Sequence, residues 1–172
     1  LGTKRTPFKM MTVVEDDKVD KVAAMKKTYK DAKLDCLLCL GGNGTHKTAN
    51  LLSEEGLNII GLPKTIDNDL NGTDHCPGFA SAAKYIATSC AEVWQDAHVY
   101  DTGMVCIMEI MGRHAGWLAG AAALATAYGA GPDLVYLPEV DFDMDKFLAD
   151  VDRIYKEKLS LIHISEPTRQ AE

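Results

Sequence analysis

Apolar residues along this chain alternate between short continuous runs and longer stretches of amphipathic pattern. The short runs predict buried strands at 34–40, 58–62, 105–110 and 134–137. The longer stretches predict helices at 16–33, 45–55, 79–97, 115–128 and 141–158. Strands that alternate with helices predict an α/β fold, with a three-layer, Rossmann-like parallel sheet and helices on both of its faces.

Three polar loops directly follow predicted strands, and in parallel sheets ligands bind beyond the carboxyl ends of the strands. The loops read Gly-Gly-Asn-Gly-Thr at 41–45, Gly-Leu-Pro-Lys-Thr-Ile-Asp-Asn-Asp at 61–69, and Met-Gly-Arg-His-Ala-Gly at 111–116. We therefore expect all three loops to lie along one edge of the sheet and to form an active site there.

The second loop places two carboxylates, Asp67 and Asp69, two positions apart behind Pro63. If this segment is extended, both side chains point the same way and converge on one small object, such as a hydroxyl or a metal-bound phosphate. The glycine loop leaves backbone bare enough to approach a phosphate. Each loop alone also suits a solvated or tight turn. Together they indicate phosphoryl transfer.

Composition narrows the class of protein further. Of the 172 residues 47% are hydrophobic, enough for one sizeable core, and the net charge of −7 favours neither a nucleic acid nor a membrane surface as partner. No apolar run approaches the roughly 20 residues of a membrane span. The five cysteines lie mostly in apolar segments, which is typical of buried free thiols in a reducing compartment. A cytoplasmic location is expected.

The last fourteen residues, 159–172, have an unrelated composition, and Pro167 breaks any regular continuation. They are similar to the translation of a sequencing adapter. We therefore expect one partial domain over 1–158 and a non-native tail at 159–172 that stands outside the fold. His163 and Arg169 are then without function.

Four segments resemble the phosphofructokinase family in order and spacing. They are the glycine loop at 41–45, Pro-Lys-Thr-Ile-Asp-Asn-Asp at 63–69, Gly-Thr-Asp at 72–74 and Met-Gly-Arg-His-Ala-Gly-Trp at 111–117. The glycine loop is shared with other kinases, whereas the second and fourth segments are specific. The resemblance covers 1–158 and implies an incomplete phosphofructokinase fold.

The resemblance implies transfer of a phosphoryl group from ATP to the C1 hydroxyl of fructose 6-phosphate, with Mg²⁺ as cofactor. Asp67 would be the base, and Thr65 and Lys64 would complete the catalytic set. The implied donor-phosphate residues are Arg5, Gly41, Gly42, Asn43, Gly44 and Thr45. The implied sugar-phosphate residues are Thr65, Asp67, Met111, Gly112 and Arg113. Asp69 and Asn43 would hold the metal.

Two positions bear on the donor and disagree. By the resemblance, Gly44 leaves room for a nucleotide and favours ATP, whereas Lys64 stands where pyrophosphate-dependent relatives carry lysine. Steric room is a requirement for ATP, while an added cation suits either donor, so ATP is the expected donor. Asn43 replaces the family's usual aspartate, which weakens the predicted metal contribution of the glycine loop.

The resemblance also predicts a longer parent enzyme, because a first phosphate loop and a second half of the family pattern are not matched. The chain alone is therefore expected to be inactive, and the parent to be a homo-oligomer. A pyrophosphate-dependent, reversible phosphotransferase is the first alternative. A nucleotide-binding or regulatory module without catalysis is the second. A dinucleotide-binding oxidoreductase is disfavoured because Lys47 occupies its third glycine position.

Overall fold

A computed structural model describes residues 20–165 of the chain. The chain divides into two compact units, Leu1–Lys64 and Thr65–Glu172. Each unit has its own parallel sheet, and the two units are described separately below. The four predicted strands all form, and a fifth strand joins them.

The first unit is a β–α–β arrangement preceded by a helix. Its elements are α1 (Lys21–Asp31), β1 (Leu37–Gly41), α2 (Asn43–Glu54) and β2 (Ile59–Pro63). Strands β1 and β2 pair in parallel, with Leu37 opposite Ile59 and Gly41 opposite Pro63. A small core of Val22, Leu52 and Leu57 joins the two helices to the strands.

Capping residues set the ends of these two helices. Helix α1 begins after Asp20, whose carboxylate accepts a hydrogen bond of 2.9 Å from the Ala23 amide. Helix α2 ends before Gly56, which has a φ of 86° that glycine adopts without strain. Helix α2 begins at Asn43, two residues earlier than predicted, because the extended Gly42 already serves as the N-cap. The glycine loop is therefore mostly the first turn of a helix.

One face of the β1–β2 sheet is open among the described residues. Leu38 and Leu40 are 54% and 60% exposed, and Ile60 lies on the same face and is also exposed. The opposite face carries Ile59, which packs against the helices. Among the described residues of this unit only one face of strand β1 is covered, so the prediction that both faces are covered is wrong for that part of the chain.

The second unit contains a three-stranded sheet covered by helices. Its elements are α3 (Phe79–Ala97), β3 (Val105–Glu109), α4 (Trp117–Ala121) with a 3₁₀ continuation (Ala122–Tyr128), β4 (Leu134–Tyr136), α5 (Met144–Lys158) and β5 (Leu161–Ser165). The strand order is β3-β5-β4, and both pairings are parallel. Cys90, Leu118, Ile162 and Ile164 are buried in its main core.

Strand β5 corrects the expectation that 159–172 stand outside the fold. Residues 161–165 form the central strand of the sheet, and Leu161, Ile162 and Ile164 are fully buried. The Ile162 amide also donates to a carboxylate oxygen of Asp133 at 2.9 Å. A central parallel strand requires a nearly continuous apolar run, and Leu161-Ile-His-Ile164 supplies one despite its unrelated composition. A non-native origin of 159–172 stays a prediction, and Arg169 lies outside the described residues.

The largest local difference concerns the predicted helix at 115–128. It forms as the short helix α4 followed by a 3₁₀ stretch that ends at Tyr128 and is capped by Gly129, which has a φ of 72°. Helix α5 begins at Met144 rather than at 141, because the side chain of Asp143 caps it through the Lys146 amide. None of the helices between residues 20 and 165 is both long enough and apolar enough to cross a bilayer.

Candidate active site

Gly41 ends strand β1 at a point where no side chain would fit. A Cβ atom there would collide with the side chain of Thr45 one helical turn onward. The Gly41 carbonyl accepts a hydrogen bond of 2.9 Å from the Lys64 amide. Lys64 therefore lies beside the glycine loop within the first unit, which sequence spacing alone did not show.

The N-terminus of α2 presents backbone N–H groups that the cap side chain does not satisfy, because the cap residue is Gly42. A Cβ atom at Gly44 would meet nothing within 4 Å, so the first turn is open on that side. Helix N-termini carry a partial positive charge and favour anions. The geometry of Gly42, Asn43 and Gly44 therefore suits a phosphate group.

His46 supports this turn and was missed at the sequence level. Its amide donates to the Gly42 carbonyl at 3.1 Å, and its ring Nδ1 lies 3.0 Å from the same oxygen. Gly61 is needed opposite it, because a Cβ atom there would approach the imidazole to 2.8 Å. The only signal in the sequence was a histidine directly after the glycine loop.

The segment that carries the two carboxylates belongs to the second unit and is not extended. Asp67 lies in a turn, and Asn68 has a left-handed φ of 55°. The expectation that Asp67 and Asp69 point the same way because they are two residues apart on an extended chain is therefore wrong. The two acids are nevertheless close, since the charge of Asp69 acts on Asp67.

The pKa of Asp67 is raised above its ordinary value. Burial is the largest cause, and repulsion from the Asp69 carboxylate adds to it. Arg113 and a hydrogen bond from the Thr65 side chain oppose the rise. Thr65 also accepts a hydrogen bond of 3.3 Å from the Asp67 amide. Thr65, Asp67, Asp69 and Arg113 thus form one electrostatic group.

Arg113 stands on a tight turn after strand β3. Its φ of 58° is unusual for a residue with a side chain, and the His114 amide closes the turn with a hydrogen bond of 2.7 Å to the Gly112 carbonyl. The C-terminal end of this loop is held by Glu139, whose carboxylate accepts a hydrogen bond of 2.7 Å from the Gly116 amide. Strained backbone of this kind occurs at binding sites.

The two carboxylates fit a divalent cation. One oxygen of Asp67 and one of Asp69 are buried without a hydrogen-bond partner among the described residues, and buried carboxylate oxygens normally have one. Between residues 20 and 165 no cluster of three or more His, Cys, Asp or Glu side chains suits a metal. Mg²⁺ accepts such a site, because it commonly binds one or two carboxylates plus phosphates and water.

The predicted site residues therefore fall into two groups. Lys64 and the glycine loop at 41–45 lie in the first unit. Thr65, the two acids and the turn at 111–113 lie in the second. The approach of one group to the other, including a metal shared by Asn43 and Asp69, stays a prediction. Arg5 lies outside the described residues.

A groove of about 520 Å³ along helix α1 is a different feature and contains none of the predicted site residues. Its lysines are already engaged in part, since Lys26 pairs with Glu55 at 2.8 Å and Lys27 pairs with Asp31. These are exposed pairs that contribute little free energy. The groove therefore adds nothing to the candidate site.

Comparison with known proteins places the chain in a family. A family profile described as phosphofructokinase matches residues 1–172. The ATP-dependent 6-phosphofructokinase of Spirochaeta thermophila is 46% identical over 147 residues, covering 84% of this chain and 38% of that protein. The sulfofructose kinase of Alkalicoccus urumqiensis is 43% identical over 144 residues, covering 79% of this chain and 38% of that protein.

A solved structure gives the same result. The crystal structure of a pyrophosphate-dependent phosphofructokinase from Nitrosospira multiformis matches with a TM-score of 0.75 and 35% identity, covering 85% of this chain and 39% of that one. The chain thus spans less than half the length of these relatives. The profile, the relatives and the parallel α/β architecture agree, and the chain belongs to the phosphofructokinase family.

Proposed function

We propose that the parent enzyme of this chain transfers the γ-phosphoryl group of ATP to the C1 hydroxyl of fructose 6-phosphate. The observation that carries the proposal is the group formed by Asp67, Asp69 and Arg113, in which two buried carboxylate oxygens have no partner among the described residues. A phosphoryl-transfer site needs a base for the hydroxyl, a place for the metal and a cation for phosphate charge.

Asp67 is proposed as the base that accepts the proton of the C1 hydroxyl. Its raised pKa makes the carboxylate a better proton acceptor than an exposed aspartate. Arg113 keeps Asp67 ionised by opposing that rise, and its guanidinium suits the planar recognition of a sugar phosphate. Met111 and Gly112 of the same turn complete the proposed sugar-phosphate contact.

Asp69 is proposed to hold Mg²⁺, because one of its carboxylate oxygens is buried without a partner among the described residues and its charge acts on Asp67. When bound, the ion neutralises charge on the donor phosphates. Asn43 would reach the ion only through a neutral amide oxygen. The protein itself contributes position: Thr65 holds the Asp67 segment through the bond to its amide.

ATP is the proposed donor because the space beside Gly44 is open. Pyrophosphate is a second candidate, and one observation favours it specifically. The hydrogen bond between the Lys64 amide and the Gly41 carbonyl places an exposed lysine at the glycine loop, where it could bind a small donor. Relatives with each donor exist, so the family does not decide between the two.

Turnover with purified components tests the proposal. The full-length parent enzyme is assayed with fructose 6-phosphate and either MgATP or pyrophosphate, and fructose 1,6-bisphosphate is quantified. Faster turnover with ATP is expected. Faster turnover with pyrophosphate would support the second candidate. Sulfofructose is assayed in parallel because one relative is named for it.

Two further outcomes are distinguishable in the same assay. The 172-residue chain alone is proposed to be inactive or nearly so, because it spans less than half of its relatives, and substantial turnover by it would contradict this. A full-length enzyme that binds ATP but turns over none of these substrates would favour a non-catalytic nucleotide-binding or regulatory module.

A further inference from the structure

Asn68, which lies between the two acids, is bonded at both ends of its side chain. It is only 7% exposed. Its Nδ2 donates a hydrogen bond of 3.0 Å to the Asp74 carbonyl, and its Oδ1 accepts one of 2.8 Å from the Cys76 amide. A buried amide that spans two backbone groups of another loop fixes that loop relative to its own backbone.

Three properties of the position require asparagine. The φ of 55° is left-handed, which glycine and asparagine tolerate far better than other residues. The bond to Asp74 requires a donor, which aspartate lacks. The bond from Cys76 requires an acceptor, which glycine lacks. Only asparagine combines the backbone conformation with both bonds.

The loop that Asn68 holds is itself fixed to a long helix. The Cys76 carbonyl accepts a hydrogen bond of 3.1 Å from the amide of Phe79, the first residue of the 19-residue helix α3. Ile66 adds a second contact, because a Cβ atom at Gly78 would lie 3.2 Å from its Cγ2. The acid-bearing segment is thus seated on the N-terminal end of α3, one of the most buried elements of the unit.

We propose that Asn68 is a positioning residue, which sets the direction of Asp67 and Asp69 by clamping their segment to the loop at 74–76 and so to helix α3. The left-handed conformation of Asn68 changes the direction of the backbone between the two acids. The role in turnover rests on the proposed phosphoryl transfer. The clamp itself rests on geometry alone.

Amide hydrogen exchange in the 172-residue chain tests the clamp without any activity. The Cys76 amide is expected to exchange slowly in the unmodified chain, because its partner is the buried Asn68 amide oxygen. Asn68→Gly keeps the left-handed backbone but removes both bonds, and exchange at Cys76 should accelerate by about tenfold or more. The control is Asn71→Gly, an exposed asparagine of the same loop, which should leave Cys76 unchanged.

Kinetics of the full-length parent enzyme test the positioning role. Asn68→Gly is expected to lower kcat per folded molecule by about 10²-fold, as small misplacements of reacting groups do, with KM for fructose 6-phosphate within about threefold. Asn71→Gly should change neither. A residue that only stabilised the fold would lower the folded fraction, measured by circular dichroism, and leave kcat per folded molecule intact.

Two results would overturn the inference. One is rapid exchange at Cys76 in the unmodified chain, which needs no variant to fold. The other is a kcat for Asn68→Gly within twofold of the unmodified enzyme. If the unmodified enzyme phosphorylates no sugar, the proposed function fails, and the Cys76 exchange still decides the clamp independently.

Discussion

Strand β5 gives the sharpest test of how the second unit is held together. Ile164 in β5 is 0% exposed, whereas Ile107 in the adjacent strand β3 is 59% exposed. Both are isoleucines in one parallel sheet, so the substitutions Ile164→Ala and Ile107→Ala remove the same atoms. Ile164 lies in the central strand and is buried, whereas Ile107 lies in the outer strand β3 and is exposed.

Truncation of a buried isoleucine to alanine costs about 2–5 kcal/mol of unfolding free energy, because apolar contacts are lost and a cavity remains. Truncation of an exposed isoleucine in a strand costs about 1 kcal/mol or less. Both tryptophans, Trp94 and Trp117, belong to the second unit, so urea unfolding followed by tryptophan fluorescence reports on this unit alone.

With a urea dependence of about 2 kcal/mol per molar, Ile164→Ala should lower the midpoint by about 1–2.5 M, and Ile107→Ala by about 0.5 M or less. A chain that ends at Lys158 should lose the transition. Equal shifts in the two variants, or a truncated chain as stable as the whole, would refute the packing of β5 and restore the prediction that the tail stands outside the fold.

The buried His163, the crowded Gly41 and the exposed Lys64 can each be tested by substitution. Burial lowers the pKa of His163 below its ordinary value of about 6.5, so the unfolded chain binds the proton more tightly than the folded chain does. The contribution of neutral His163 to stability is therefore complete above about pH 6.5 and is lost as the pH falls below that value. In His163→Phe the urea midpoint should decrease less over this pH range. Gly41→Ala should destabilise the first unit by about 1–3 kcal/mol in thermal melts, because the added Cβ atom would collide with the Thr45 side chain. Gly44→Ala should leave the stability of this unit unchanged, because its Cβ atom would meet no atom within 4 Å. If Lys64 of the parent enzyme binds pyrophosphate as a point charge, Lys64→Gly should reduce turnover with pyrophosphate by about tenfold or more and leave turnover with ATP unchanged. Equal losses of turnover with both donors would contradict that role.

The regular elements could be predicted because their patterns are local. The 19 residues of α3 were predicted to the residue, since an amphipathic repeat of that length has one interpretation. The start of α2 was displaced because Gly42 acts as a cap through its backbone, which sequence does not display. Strand β5 was excluded on composition, although its apolar run fits a central strand.

The candidate site residues could be identified from motifs, but their local geometry could not, and their chemical roles stay predictions. Asp67, Asp69 and Arg113 were identified from motifs, and the structure groups them. Their convergence was attributed to an extended backbone, whereas the residue between the two acids, Asn68, has a left-handed φ of 55°. A positive φ and a long-range side-chain clamp depend on tertiary partners such as the Cys76 amide, so no local pattern reveals them.

The proposed function depends on removal of the proton from the acceptor hydroxyl by Asp67. The direct measurement is steady-state turnover of the full-length enzyme that carries Asp67→Asn, which keeps the size of the side chain and removes its basicity. If Asp67 is the base, the variant is expected to have a kcat lower by about 10²–10⁴-fold, with KM for fructose 6-phosphate within a few-fold. A kcat within twofold of the unmodified enzyme would contradict it.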